Sequence, residues 1–302
     1  MSEIPVPGTE DPTGVFVEHR ELLFGVVYNI LGSVTDTEDV LQDTWLSWSR
    51  RGAGGVDNPR AYLVRIAVNH ALTRRAAVNR RRETYVGPWL PEPLVAEETS
   101  ADDPALRTES VSLALLVVLE SLCPLERAVF VLHEVFGYAH TEIAEIIDRR
   151  PAAVRQLAHR AREHVHARRP LYEAHPRVRR EATERFVRAA LGGDITELME
   201  ILAPDVTVWT DGGGMRKQAL RPVHGRDKAA RLLNGYAKRG AADLDLELRY
   251  RRVNGDDAAV LFAHDSPYAV IVLDLTPEGD RVSNLFVVTN PDKLTHVKKE
   301  EA

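Results

Sequence analysis

The hydrophobic pattern of this chain changes period part-way along. Up to Leu191 apolar positions recur three and four residues apart, as in helices that bury one face; from Leu244 they alternate, as in strands. Phe16, Leu23, Val27 and Ile30 set a first helix that Gly32 ends, and Val34-Thr35-Asp36-Thr37-Glu38-Asp39 opens a second with capping and acidic residues where the helix dipole favours them. In this second helix Val40, Leu41, Trp45 and Trp48 form the apolar stripe, while Asp36, Asp39, Gln42 and Asp43 form an acidic, hydrogen-bonding surface. A loop over 50–58, with Gly52, Gly54 and Gly55, leads to Pro59 in the first turn of a third helix, whose inner face carries Leu63, Ile66, Ala67 and His70. Further helices are expected over 112–122 and 125–136, the latter with Leu125, Val129, Leu132 and Phe136 inward and Gly137 as its stop.

Residues 140–169 then read as two helices around a sharp turn. Ile143, Ala144, Ile146 and Ile147 are the apolar set of the first; Asp148-Arg149-Arg150 breaks it before Pro151. In the second, Val154, Leu157 and Ala161 point inward and Arg155, Gln156, His159, Arg160 and Arg162 outward, so this is a helix-turn-helix with a basic second member. Arginine can grip guanine or phosphate and glutamine can read adenine, which suits a helix lying in a major groove. A solvated charged face on an ordinary hairpin is the alternative, and seven arginines between Arg149 and Arg169 against one acid, Glu163, weigh against it. His164 and His166 have no partner at ligand spacing and are read as solvated, so no metal is expected. On the third helix Tyr62, Arg65 and Asn69 share another face, followed by Arg74, Arg75 and Arg80-Arg81-Arg82; rings and guanidinium groups suit a strand with exposed bases, although a packed Tyr62 and a solvated arginine tail would look the same.

Residues 84–106 lack helical period and are rich in proline and acids, the composition of a linker. Within it Trp89-Leu90-Pro91-Glu92-Pro93-Leu94 is too apolar for a spacer, and Trp89 should be buried by something. Beyond Pro176 helices are expected over 180–191, 194–202 and 227–238, with a strand over 205–210 between the last two and then strands over 244–253, 258–263, 268–275 and 282–288, turning at Asn254-Gly255-Asp256 and Pro277-Glu278-Gly279: an α+β domain.

Composition adjusts this picture in three places. The 302 residues exceed one typical domain, and 44% hydrophobic content suffices for two or three cores. A net charge of −6 argues against indiscriminate coating of nucleic acid, so local patches matter; every lysine lies at Lys217 or later, leaving the first part to grip with arginine. The single cysteine, Cys123, is expected as a buried thiol in a reducing cytoplasm, and neither a secretion signal nor a membrane anchor is visible.

The acidic helix, the NPRAYLVRIAVN helix and the helix-turn-helix, in this order and spacing over residues 12–170, closely resemble a bacterial RNA polymerase sigma factor of the extracytoplasmic-function (ECF) class. HGRDKAARLL ahead of long strands resembles the SnoaL-like, NTF2-like cone fold. WLPEPL in the linker, Asp211-Gly212-Gly213-Gly214 and Asn290-Pro291-Asp292-Lys293-Leu294 together resemble the ECF group 41, or SigJ-type, sigma factors. That family usually has a lysine directly after DGGG, where this chain has Met215 and Arg216 before Lys217.

The resemblance implies a multidomain chain: a disordered N-terminus over 1–11, an all-α region 2 bundle over 12–83, the linker over 84–106, an all-α region 4 helix-turn-helix over 107–170 and an α+β SnoaL-like domain over 176–297. By that likeness Asp36, Asp39, Gln42, Asp43 and Trp45 would contact core RNA polymerase, with its β′ clamp helices and β flap as partners. Asn58 and Arg60 would receive a flipped base of the −10 element, with Tyr62, Arg65 and Asn69 nearby, and Arg155, Gln156, His159, Arg160 and Arg162 would read the −35 element. The acidic end of the linker would mimic nucleic acid in the polymerase channel or merely solubilise. The extension would regulate in cis: Asp211 to Gly214 and Asn290 to Leu294 would meet region 2 and Trp89, Leu90 and Pro91, in a protein monomeric when free, cytoplasmic and without membrane contact or cofactor. Ala139 stands where many relatives have a Ser or Asp cap.

Cone folds also host enzymes, so the fold alone decides nothing about catalysis. Asp211, His224, His264 and Asp265 are the acid–base candidates, none inside a recognisable catalytic pattern; surface turns are the expected home of Asp211 and of His264-Asp265, and the chain is read as no enzyme. The competing function is a helix-turn-helix regulator that binds its operator without polymerase and carries a ligand-binding or enzymatic cone domain.

Overall fold

The computed structural model describes residues 11–51, 56–96, 111–167, 175–238 and 245–299. The expected disordered N-terminus, the glycine loop, the acidic end of the linker and Leu244 fall mostly or wholly outside them. The chain divides into two compact units.

The first unit is helical. It holds α1 (Pro12–Leu31), α2 (Val34–Arg51), most of α3 (Pro59–Glu83, to Asn79), α5 (Pro124–Phe130), α6 (His140–Ile146) and α7 (Pro151–His166, to His164). Asp11 caps α1 by accepting the Thr13 and Gly14 amides, Pro12 fills the first turn, and Gly32, left-handed at φ 71°, closes the helix on the Tyr28 carbonyl. The helix expected over 125–136 is in fact α5 followed by a π-helical turn, Val131–Val135, before Gly137.

The end of α1 organises this unit. The last carbonyls of a helix have no partner within it and carry the negative end of its dipole. Arg75 of α3 donates from Nη1 to the Leu31 carbonyl at 2.8 Å, and Arg127 of α5 donates from Nε to the Asn29 carbonyl at 2.8 Å. Both side chains are buried, and burial lowers both pKa values, that of Arg75 to about 10. Two cations are thus held away from water by helix-end carbonyls, and α3 and α5 are both fixed to α1. Trp48, fully buried on α2, donates to the Pro12 carbonyl at 2.8 Å and ties the start of α1 as well.

The second unit is an α+β domain that also contains the end of α3, the WLPEPL segment and α4 (Leu113–Leu119). Its helices are α8 (Pro176–Gly192), α9 (Ile195–Ile201) and α10 (Arg226–Tyr236); its strands are β1 (Leu202–Asp211), β2 (Val223–His224), β3 (Leu246–Val253), β4 (Asp256–Ala263), β5 (Ser266–Leu275) and β6 (Val282–Val288). The sheet runs β2-β1-β6-β5-β4-β3; β1 and β6 are parallel and the other pairs antiparallel. The short β2 had no sequence signal, being two residues long. Phe186, Leu198, Val206, Leu233, Leu273 and Leu285 fill the core between the helices and one sheet face. The meander from β3 to β6 and both its turns agree with the alternation in the sequence.

Cys123 corrects an expectation: it is exposed, because it precedes Pro124 at the N-terminal boundary of α5 rather than lying on an inner helical face. Replacing Arg127 with Met should remove its bond to the Asn29 carbonyl, costing about 1–3 kcal/mol in chemical denaturation; an unchanged midpoint would show that this arginine does not hold α5 to α1.

Candidate functional site: a helix-turn-helix and a buried carboxylate clamp

In the first unit the helix-turn-helix forms as the spacing requires. The turn passes through Asp148 at φ 52°, and the Arg149 amide returns to the Ala144 carbonyl at 2.9 Å. With Ala139 offering no side-chain cap, Glu142 reaches back to accept the Ala139 amide at 2.7 Å, one half of a capping box. On α7, Val154, Leu157 and Ala161 are buried, while Arg155, Gln156, His159 and Arg160 are exposed and Arg162 is half-buried.

These five differ in availability. Arg160 donates to Glu126 at 2.9 Å, Arg162 to Glu134 at 2.5 Å, and His159 lies 3.5 Å from Glu163. The Arg160 ion pair and burial act oppositely on Glu126, whose carboxyl ends below its usual pKa. Arg155 and Gln156, in the second turn of α7, make no such contacts among the described residues and are the freest side chains of this face.

On α3, Asn58 caps the helix by accepting the Ala61 amide at 3.0 Å, and Arg60 lies over the Tyr138 ring at 5.5 Å. Tyr62 is half-buried against Trp48, ring centroids 5.8 Å apart, with Arg51 over its face, so the packed alternative accounts for part of its surface. Arg65 is exposed; Asn69 donates to the Arg65 carbonyl at 2.7 Å and to the Ile146 carbonyl at 3.1 Å. Along α2, Gln42 and Asp43 are exposed, and half-buried Trp45 packs against Phe16 with ring centroids 5.3 Å apart. Asp36 corrects the expected acidic surface. It is only 3% exposed and accepts from Arg74 Nε at 2.8 Å, while Arg74 also pairs with Asp39.

In the second unit the three separated motifs converge on one carboxylate. Asp211, expected on a surface turn, ends β1 and is completely buried. Its Oδ1 accepts from the Tyr85 hydroxyl and, at 3.2 Å, from the Gly213 amide; its Oδ2 accepts from the Leu90 amide at 2.9 Å and Lys293 Nζ at 2.7 Å. Two carboxylate oxygens offer about four acceptor positions, and all four are filled. Lys293 also donates to the Leu90 carbonyl at 2.5 Å and sits 3.4 Å from the centroid of Trp89, an ammonium over an aromatic face. Arg82 lies over the same ring at 4.6 Å, and Tyr85 meets it edge-on. Trp89 is half-buried and Leu90, Pro91, Glu92 and Pro93 are buried.

The clamp extends along the linker. Asn290 donates to the Tyr85 hydroxyl at 2.7 Å and accepts the Asp292 amide, shaping the short 3-10 turn Pro291–Lys293 that carries the lysine to its place; Leu294 is buried behind it. His296 bonds the Pro93 carbonyl at 2.6 Å. Leu94 and Asn254 exchange backbone bonds with each other's side chain or main chain, the Ala96 amide donates to the Arg252 carbonyl, and Val95 bridges Val253, so the linker pairs with the end of edge strand β3. The glycines follow from crowding. A Cβ on Gly213, at φ 60°, would stand 2.5 Å from Asn290 Nδ2, and one on Gly212 would stand 2.7 Å from the Arg216 carbonyl oxygen. Gly214 is also left-handed, at φ 76°.

Tyr85 and His296 carry no motif and were not singled out in the sequence, and Arg82 and Asn254 were read only as part of an arginine run and of a turn. Tyr85 had the same signal as Trp89, an aromatic ring in a polar, proline-rich stretch. The other acid–base candidates stay outside this cluster: His224 is exposed beside Thr207, and His264 and Asp265 occupy the exposed β4–β5 turn. No group of metal-ligating side chains occurs among the described residues.

Burial outweighs the attraction of Asp211 and lowers the Lys293 pKa to about 8, against about 10.4 for an unfolded lysine. Between these values the unfolded chain holds a proton that the folded chain has lost, so this group adds stability as pH rises. The stability difference between wild type and Lys293→Met should therefore grow from pH 8 to pH 10; a flat difference would contradict the assignment. At pH 7, Lys293→Met strands the carboxylate and should cost about 3 kcal/mol, whereas Asp211→Asn with Lys293→Met should recover most of it. Additive losses would show that the two residues do not form a pair.

Residues 15–82 match Sigma-70 region 2, residues 112–165 match Sigma-70 region 4 and residues 183–289 match the SnoaL-like domain. The chain is 35% identical over 284 residues to the ECF RNA polymerase sigma factor SigJ of Mycobacterium tuberculosis, covering 91% of each, and 28% identical over 286 residues to the probable ECF sigma factor SigI of the same organism, covering 93% of this chain and 94% of the other. The crystal structure of M. tuberculosis SigJ superposes with a TM-score of 0.74 at 31% identity, over 94% of this chain and 98% of that one. No helix among the described residues is long and apolar enough to cross a membrane. With two sigma regions in order, a fused SnoaL-like domain and identity sustained along nearly the whole chain, the protein belongs to the ECF RNA polymerase sigma factors, which direct core polymerase to promoters.

Proposed function

We propose that this sigma factor is regulated in cis by its C-terminal domain, acting through the linker. In this reading α2, with Asp39, Gln42, Asp43 and Trp45, meets the β′ clamp helices of core polymerase, with Asp36 acting only by fixing Arg74. Asn58, Arg60, Tyr62, Arg65 and Asn69 serve the −10 element. Region 4 meets the β flap and places Arg155 and Gln156 at the −35 bases, with Arg160 and Arg162 held toward phosphates by Glu126 and Glu134. Domain limits of 12–83, 84–106, 107–170 and 176–297 serve this division of labour.

The observation that carries the regulatory part is the four-donor Asp211 carboxylate, which ties Tyr85 and Leu90 of the linker to Lys293 of the C-terminal tail. Residues 85–96 held on the cone domain are subtracted from the chain that can span between regions 2 and 4. Free and polymerase-bound forms then differ in how much linker is released, and anything that stabilises or loosens the clamp shifts that population. The extension acts as a binding and regulatory domain rather than an enzyme: Asp211 is consumed by the clamp, and His224, His264 and Asp265 are scattered over the surface. The protein works in the cytoplasm as a monomer until it meets polymerase.

The test is run-off transcription with purified core polymerase on the gene's own upstream region. Full-length protein should yield transcripts that core polymerase alone does not. Trp89→Ala should change their amount at least severalfold while leaving binding to −35 duplex unchanged, whereas Arg155→Ala should weaken −35 binding by about 1–3 kcal/mol. No transcript from any tested promoter, with tight duplex binding by the protein alone, would favour an operator-binding regulator instead; unchanged transcription by Trp89→Ala would remove the linker from regulation.

A further inference from the structure

The cone domain holds a half-open cavity of about 640 Å³ that the clamp does not use. Its wall is apolar along most of its length: Phe186 and Leu233 from the helices, Leu261, Ile271 and Leu285 from the sheet. Its polar groups are Arg216, Lys217 and Gln218, in the segment that follows the DGGG turn, with Tyr236, Tyr268 and Thr289. Its volume lies within the range of small-molecule sites, roughly 300–1,000 Å³. At about 30 Å³ for a water-sized group it has room for on the order of 20 non-hydrogen atoms.

The charge on this wall is one-sided. Arg216 and Lys217 line the cavity, and no Asp, Glu or His lines it among the described residues. Arg216 is aimed rather than loose: its guanidinium lies over the Tyr268 ring at 4.2 Å and its Nη1 donates to the Tyr268 carbonyl at 2.7 Å. Of its five N–H donors that is the only one engaged with protein among the described residues, which leaves a rigid fork for a planar anion. Beside it Gln218 donates to the Thr289 hydroxyl at 3.2 Å, while its buried Oε1 has no partner among the described residues. Whichever way the amide lies, one of its polar ends is buried without a protein partner.

We infer that this cavity binds an organic acid, with an apolar body of about ten carbons against the helix and sheet walls and its carboxylate on Arg216 and Lys217. The apolar wall supplies affinity by burial, and the two uncompensated cations select the anion over a neutral molecule of the same shape. Binding to the free protein requires neither polymerase nor the regulatory reading above.

Isothermal titration of full-length protein with decanoate and with decan-1-ol, near pH 7.5, tests this. Decanoate should bind in a saturable 1:1 manner at least tenfold more tightly than the alcohol. Arg216→Gln with Lys217→Gln, two changes at the cavity mouth, should abolish that preference while keeping the alcohol's affinity within about threefold. Ala263→Phe, which fills the cavity from β4, should abolish both. Thermal unfolding checks that each variant is folded, and the charge variant decides the matter if Ala263→Phe is not. Failure of both ligands to bind, equal affinity for the two, or an undiminished preference in the charge variant would each overturn the proposal.

Discussion

Everything distinctive about the second unit depends on removing one carboxylate from water. An isolated buried Asp211 would be untenable, since an ion moved into a protein interior loses several kcal/mol of solvation that only close partners restore. The partners are drawn from far along the chain: Tyr85 and Leu90 from the linker, Gly213 from the adjacent turn and Lys293 from the tail. Because these donors share one carboxylate, the three segments are held at a single point. Trp89 then stacks over the lysine that completes the set, which is why a tryptophan is useful in a proline-rich linker.

The first unit solves a related problem with the opposite sign. Two buried guanidinium groups, Arg75 and Arg127, are tolerated because they meet the carbonyl end of α1, where the dipole favours cations and the Leu31 and Asn29 carbonyls accept from them. Arginine therefore has two roles here. Some arginines hold helices in place from within, and others, such as Arg155, stay outside and available. Composition alone does not distinguish them.

The helices, the strands and the helix-turn-helix were legible because burial on one face imposes a period, and periods survive without tertiary information. Val154, Leu157 and Ala161 fell inward as their spacing required, and β3 to β6 followed the alternation. WLPEPL stood out because its composition contradicted its neighbours. What failed to show was pairing at long range. Asp211 looks like any aspartate before glycines, and only the fold brings Lys293 and Tyr85 to it; Asp36 looks like any acidic residue in a first helical turn until Arg74 of another helix arrives. The π-helical turn after α5 and the two-residue strand β2 leave no periodic signal.

The most direct measurement is hydrogen exchange at the Leu90 amide, which donates to Asp211 Oδ2 in this arrangement. The clamp predicts protection comparable to the central strands of the sheet in the free protein, and its loss in Lys293→Met while strand amides stay protected. Exchange at Leu90 as fast as in an unstructured peptide, in the wild-type protein, would contradict the account at its centre.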